Sequence, residues 1–237
     1  MILCISTATN LCSVAIGHAQ APPLGAKELA DPHAHSTALA SMVEQLMHEL
    51  GLDLEQLSAV AINKGPGSYT GLRIGTSLAK GICYALSKPL VAIGCLEIMA
   101  HGALQRHSTS QVELPSPPLL CPMVDARRME IYTALFDSQL RPLTPTMAKV
   151  VDHNAFAEQL AQGPVLFFGD GAAKCREVLQ HPNAVFIEGI EPSATHMLAL
   201  AHNALHNGQI EDVAYFEPFY LKDFVAIKAK NKVLDGM

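Results

Sequence analysis

The spacing of apolar residues changes in the same order twice along the chain, and this constrains the fold more than any other feature. Residues 2–6 and 12–17 are apolar runs on either side of the turn-prone Thr7-Ala8-Thr9-Asn10, and a weaker run lies near 25–30. Two such runs around a polar turn read as a hairpin. The interval then lengthens: Leu39, Met42, Val43, Leu46, Met47 and Leu50 recur every three or four residues, as on one face of a helix. Ser36 or Thr37 suits the start of that helix and Gly51 its end. An apolar run from Ser58 to Asn63, a helical pattern to about Leu86 closed by Lys88-Pro89, a run from Leu90 to Gly94 and a short helix from about Leu96 follow.

Beyond residue 118 the order restarts. Strands are expected at Leu119–Val124, Glu130–Phe136 and within 143–151, then helices near 153–161 and 172–180 around a strand at Val165–Phe168. A strand near 184–187 and a helix at about 193–207 finish the series. A hairpin followed by strand–helix–strand units gives a mixed sheet. Its repetition predicts an α/β protein of two similar lobes with a cleft between them. The expected division is an N-terminal lobe over 1–104, a linker over 105–118 (Q-R-H-S-T-S-Q-V-E-L-P-S-P-P) and a C-terminal lobe with its tail over 119–237. The tail from Lys222 to Met237 holds four lysines and little patterning.

Composition narrows the function. Only 16% of the 237 residues are charged while 49% are hydrophobic, against about 25% charged in an ordinary domain. A chain of this length can bury a core without staples, so the shortfall reflects deep burial or a face hidden against a partner. A net charge of −6 argues against a stand-alone nucleic-acid binder, which carries a basic stripe, but not against one that borrows a partner's charge. No apolar run reaches the roughly 18 residues of a membrane span, and Met1-Ile2-Leu3-Cys4-Ile5-Ser6 reads as a strand rather than a signal peptide. The six cysteines form no C-x-x-C and sit in apolar runs, as buried thiols in a reducing compartment do. The expectation is a soluble, cytoplasmic protein.

The sharpest local string, Lys64-Gly65-Pro66-Gly67-Ser68-Tyr69-Thr70-Gly71, follows a strand and opens a helix, the setting in which backbone N–H groups cradle an anion. It matches neither G-x-x-x-x-G-K-[ST] nor G-x-G-x-x-G, and the structural reading, a tight turn with Ser68 or Thr70 capping the helix, is favoured over anion binding. Gly71, Gly75 and Ala79 share one face of the following helix and permit a close approach, either by the chain's own sheet or by another helix, such as residues 37–50 of a second copy. His202 and His206 have the i, i+4 spacing of a zinc pair but lack the Glu of H-E-x-x-H and a third ligand. His33-Ala34-His35 reads as surface. Asp125 and Gly169-Asp170-Gly171 are either turns or the rim of a nucleotide cleft, with Asp125, Gly169 and Gly171 as candidate contacts. No Ser-His-Asp or Cys-His arrangement stands out.

The string from Lys64 through Gly71 to Leu72-Arg73-Ile74-Gly75, with Ala79-Lys80-Gly81, closely resembles the TsaB (YeaZ) family. Further matching strings are Ile2-Leu3-Cys4-Ile5-Ser6-Thr7-Ala8-Thr9, Val124-Asp125-Ala126-Arg127-Arg128 with Glu130-Ile131-Tyr132, and Glu217-Pro218-Phe219-Tyr220-Leu221 with Val225-Ala226. The resemblance implies two actin-like (ASKHA, RNase H-like) lobes. It also implies a non-catalytic role in making N6-threonylcarbamoyladenosine (t6A) at position 37 of tRNAs reading ANN codons. The transferase would be the metal-containing paralogue TsaD and the ATPase TsaE would join, so that ATP and metal belong to the partners and this chain binds no cofactor alone. Contact with tRNA would be indirect, through the complex.

The resemblance further implies homodimers in the absence of TsaD, through the face that docks TsaD, built from the first two helices. The expected interface is Leu39, Met42, Val43, Leu46, Met47, Leu50, Gly71, Leu72, Gly75, Ala79 and Ile82, beside the motif loop of Lys64, Gly65, Pro66, Gly67, Ser68, Tyr69, Thr70 and Arg73. Two departures point away from catalysis. Where TsaD carries a metal-binding His-x-x-x-His, this chain has Cys95 and Met99, and Met is a poor ligand for such metals. Where actin-like ATPases carry an Asp on the first hairpin, this chain has Ser6, which brings no charge for Mg²⁺. The alternatives are an actin-like ATPase or sugar kinase using the cleft, and a metallopeptidase of the M22 type.

Overall fold

The structure, a computed structural model, describes residues 1–19, 22–31, 34–109 (backbone only at 107–109) and 116–222. His33, residues 110–115 of the linker, Val225-Ala226 and the lysine-rich tail beyond Lys222 lie outside the described residues.

The first sheet holds β1 (Ile2–Ser6), β2 (Leu11–Gly17), β3 (Gly25–Ala30), β4 (Ala59–Asn63) and β5 (Leu90–Ile93), in the spatial order β3-β2-β1-β4-β5. The β1–β2 and β2–β3 pairs are antiparallel; β1–β4 and β4–β5 are parallel. Between them run α1 (His35–Leu50), α2 (Tyr69–Leu86) and, after β5, α3 (Cys95–Thr109). The second sheet holds β6 (Leu119–Asp125), β7 (Glu130–Thr133), β8 (Met147–Val150), β9 (Val165–Phe168) and β10 (Ala184–Ile187), in the order β10-β9-β6-β7-β8. Read from β8, it is the same arrangement: an antiparallel meander of three strands, then two parallel additions. The repeated lobe expected from the apolar period is therefore present. Short helices α4 (Ala157–Gln162) and α5 (Ala172–Cys175) accompany the second sheet, and α6 (Leu198–His206) follows a 3-10 turn at Ala194–Met197.

The strands of the first sheet read as continuous apolar runs because both faces are covered. Successive side chains point to opposite faces. Leu3, Ile5, Cys12, Val14, Ile16, Val60 and Ile62 meet α1 and α2. On the other face Ile2, Cys4, Ala15, Ala59, Ala61 and Val91 meet α6. That face is built partly of alanines, which lets α6 settle on it with Leu198, Ala201 and Ala204.

Several boundaries move. Ala34, not Ser36 or Thr37, occupies the N-cap of α1 and makes no side-chain bond. The hydroxyl of Thr37 instead donates back to the Ala34 carbonyl. Gly51 does end α1, in the left-handed region at φ +63, where glycine carries no Cβ penalty. The helix after β5 is long, and it absorbs residues 105–109 that composition gave to the linker. The chain from Ser193 onward leaves the second sheet, to which residues 119–237 had been assigned, and returns to the first. The reason is uncovered surface: the alanine-rich face needs a helix, and polar bonds guide it there. Ala194 N–H donates to Ser13 Oγ at 2.8 Å, while Ser13 and Ser193 both donate to Glu28 Oε1. Further on, Glu211 N–H reaches the Leu90 carbonyl, and Phe216 joins the core beneath α1 and α2. No helix among the described residues is long and apolar enough to cross a membrane.

Candidate functional site: the interlobe cleft and the helical face beside it

The motif loop is fixed from every side. Gly65 N–H donates to Asn63 Oδ1 at 3.0 Å, and Asn63 Nδ2 donates to Ser6 Oγ at 3.0 Å. Ser6 Oγ donates to the Pro192 carbonyl at 2.5 Å. The hydroxyl that replaces the expected Asp therefore ties the chain returning from the second lobe to β1. Gly65 and Lys64 offer their carbonyls to the N–H groups of Cys95 (2.8 Å) and Phe219 (2.7 Å). Ser68 caps α2 by accepting from Gly71 N–H at 3.2 Å, and its own N–H goes to the Ala8 carbonyl at 2.6 Å. A Cβ on Gly67 would lie 2.1 Å from that same carbonyl, so only glycine fits the approach. Of the two readings of the string, the N–H groups of Gly65, Ser68, Gly71 and Leu72 are all spent within the protein.

The loop forms one wall of an interlobe cleft of about 660 Å³. Pro66 to Thr70 and the β1–β2 turn at Ala8-Thr9-Asn10 face Asp125, Ala126, Arg127, Tyr132 and Asp170 of the second lobe, with Phe219 to Lys222 alongside. Tyr69 stacks on Tyr220 with centroids 4.9 Å apart, and the Arg73 guanidinium lies 4.4 Å from the Tyr69 centroid. Lys222 reaches over the Tyr132 ring and pairs with Glu130. Asp125 accepts Lys174 Nζ at 2.7 Å and the Arg127 N–H at 2.6 Å. Asp170 accepts the Asp125 N–H at 2.9 Å. Burial pushes the Asp170 carboxyl above the usual range, and the neighbouring Asp125 charge acts in the same direction.

The three candidate nucleotide contacts separate. Asp125 lines the cleft. Gly171 gives its N–H to the Met123 carbonyl at 2.9 Å, and a Cβ on Gly169 would meet Met99 and the Met123 carbonyl within 2.4 Å. Gly169 serves the packing of α3 on β6, and Gly171 the close approach to β6 and β7. Sequence reading missed Tyr132, Tyr220 and Lys222 as cleft residues. Tyr132 and Tyr220 stand in strings already marked by the resemblance and Lys222 just beyond one, but only folding brings residues 69, 132 and 220 together.

The expected docking residues lie mostly inside the protein. Leu39, Met42, Val43, Leu46, Met47 and Ala79 are buried against the first sheet. Leu72 packs in the interlobe cluster with Ala8, Cys95 and Met99. A Cβ on Gly71 would lie 2.1 Å from the Thr7 carbonyl, and one on Gly75 would lie 2.3 Å from Thr7 Oγ1. The small-residue ridge thus receives the chain's own β1–β2 turn and β4, which is the first of the two readings its spacing allowed. Leu50 and Ile82 remain half-exposed at the edges. The outward strip of the same helices is Ala40, Glu44, Ser77, Gly81 and Tyr84, the last 85% exposed.

The remaining candidates are structural. Cys95 and Met99 are wholly buried in apolar packing, and burial pushes the Cys95 thiol up to about 12. All six cysteines are free and buried. His202 Nε2 lies 3.3 Å from the Gly17 carbonyl, whereas His206 is exposed. His35, read as surface, is 3% exposed and bonds the Thr9 carbonyl through Nε2, because it opens α1 directly beneath the β1–β2 turn.

Two lobes that repeat one five-stranded mixed sheet on either side of a cleft define a two-lobed α/β protein. Residues 28–230 match the family profile described as TsaD, the tRNA N6-adenosine threonylcarbamoyltransferase. The chain is 28% identical to the tRNA threonylcarbamoyladenosine biosynthesis protein TsaB of Escherichia coli over 96% of both chains. It is 32% identical to the Bacillus subtilis TsaB over 62% of this chain and 61% of that protein. The solved structure of YeaZ from Pseudomonas aeruginosa superposes with a TM-score of 0.75 at 25% identity, over 93% of this chain and 99% of that one. A second Pseudomonas aeruginosa structure, described as similar to peptidase YeaZ, gives a TM-score of 0.80 at 25% identity over the same shares. The chain belongs to this threonylcarbamoyltransferase family, in its TsaB branch.

Proposed function

We propose that this chain is a non-catalytic accessory subunit in t6A formation at position 37 of tRNA, docking on and activating a TsaD-type transferase, with a TsaE-type ATPase completing the assembly. The observation that carries this reading is how the floor between the lobes is spent. Cys95 and Met99 occupy the places of the transferase's metal pair and are sealed in apolar contacts. Ser6, in place of the Mg-organising Asp, holds Pro192. A chain similar to TsaB end to end, with those positions given to packing, fits a subunit that supports chemistry done elsewhere. ATP and metal then come with the partners.

On this reading the docking surface is the outward strip of α1 and α2, not the inward stripe, and the same strip serves self-association when the transferase is absent. The half-exposed Ile74, Leu78 and Ile82 add apolar area to it. Reconstitution of tRNA modification with and without this chain tests the role: t6A formation is expected to depend on it. Full transferase activity without the chain, or turnover of Mg-ATP by the chain alone, would overturn the reading. Ser77→Arg with Gly81→Arg is expected to abolish co-purification with the transferase and to leave the isolated protein monomeric in sedimentation.

A further inference from the structure

We propose that the interlobe cleft of this chain is itself a binding site for an unpaired nucleotide of an RNA strand, its base held against the tyrosines and its phosphodiester on Arg127. Three of the chain's five tyrosines, Tyr69, Tyr132 and Tyr220, line this one cleft with Phe219, although aromatic residues make up only 5% of the sequence. Rings from both lobes line this space, Tyr69 against Tyr220 and Arg73, and Tyr132 beneath Lys222, and stacking on such rings is how single strands are held without base pairing. The cleft volume of about 660 Å³ lies within the range of roughly 300–1,000 Å³ for small-ligand sites.

The cation at its rim is held at a cost. Arg127 and its neighbour Arg128 both adopt the left-handed backbone, at φ +70 and φ +50, a conformation that glycine or asparagine occupies more readily. Both side chains are exposed, and neither has an ion-pair or hydrogen-bond partner among the described residues. Of the two carboxylates that line the same cleft, Asp125 is paired with Lys174 and Asp170 accepts the Asp125 N–H, so neither forms an ion pair with these arginines. A guanidinium without a partner among the described residues, beside a stacking surface, is fitted to one phosphate.

The same geometry disfavours a free nucleoside triphosphate. The N–H groups of Ser68, Gly71 and Gly171, three of those that could cradle a polyphosphate, are bonded within the protein. What remains is recognition of one base and one phosphodiester. That the strand is RNA rests on the function proposed above; the stacked base and single phosphate rest on the cleft alone.

The test is fluorescence anisotropy of the isolated chain with a labelled single-stranded RNA heptamer, repeated with the DNA heptamer and with AMP as competitor. Arg127→Asn suits the left-handed backbone and is expected to leave thermal melting and transferase docking unchanged, while lowering the slope of log affinity against log salt by about 1. Tyr132→Leu keeps apolar volume and is expected to weaken binding at least about fivefold. Absence of RNA binding, or binding indifferent to both substitutions, would overturn the site. AMP competing as well as the heptamer would overturn the assignment to a strand. Equal affinity for the DNA heptamer would overturn the assignment to RNA while leaving the docking reading intact.

Discussion

The two faces of α2 both carry glycine in a helix interior, where it costs about 1 kcal/mol relative to alanine, yet for different reasons. On the inner face, Gly71 and Gly75 let the helix press against Thr7, with no room for a Cβ. On the outer face, a Cβ on Gly81 would meet nothing within 4 Å. The inner glycines are explained by the chain's own packing and the outer one by nothing inside the chain. Small-residue spacing therefore signals a close approach without saying by whom; the local space around each Cβ separates the two cases.

The largest effect that would break this comparison is at Leu39. As a residue of the inward stripe, 2% exposed, Leu39→Ala is expected to cost about 2–5 kcal/mol in urea unfolding. A partner-facing leucine would instead leave stability unchanged and weaken docking. Next, Gly71→Ala sets a methyl against the Thr7 backbone and is expected to cost about 3 kcal/mol. Gly75→Ala meets the Thr7 hydroxyl, a side-chain atom that can yield only by giving up its buried bond to the Gly71 carbonyl, and should cost less, about 1–2 kcal/mol. Melting temperatures of the pair read this order directly, and equal losses would show that the hydroxyl does not yield. Gly81→Ala is expected to stabilise the isolated protein by up to about 1 kcal/mol; a destabilised variant would mean that the outer face is not open.

The smallest effect is pH dependence, at a contact away from both faces. His101 Nδ1 lies 2.9 Å from the His196 carbonyl, and His196 Nδ1 lies 3.2 Å from Gln105 Oε1, with Glu28 nearby. Burial holds both imidazoles below the ordinary value of 6.5, and the His101 charge lowers His196 further. Between the lowered values and 6.5 the unfolded chain binds more protons, so this contribution is present above pH 6.5 and is lost as pH falls below it. Denaturant midpoints at about pH 7.5 and 6.0 check the sign, and His101→Gln is expected to shrink the difference between them.

Much of the fold was legible because it is local. The runs at 2–6, 25–30, 165–168 and 184–187 are strands at those residues. The stripe from Leu39 to Leu50 is one buried helix face closed by Gly51. The candidate site was legible only in pieces. The strings containing Tyr69, Tyr132 and Tyr220 were visible as matches to a family, but their convergence needed the crossing of the two lobes. The return of α6 to the first sheet left no signal in its own period, since a helix face looks the same whichever sheet it covers.

The sequence by itself determined the periods, the turns, the repeated order of elements and the family, since each is written in neighbouring residues or in fixed strings. Tertiary structure alone decided what lies against each face. It turned the Leu39–Leu50 stripe and the Gly71/Gly75 ridge inward, spent Ser6 and Cys95 on packing, and set Arg127 and three tyrosines on one cleft. Spacing fixes which side chains share a face, but burial depends on surfaces distant in sequence that come to cover it.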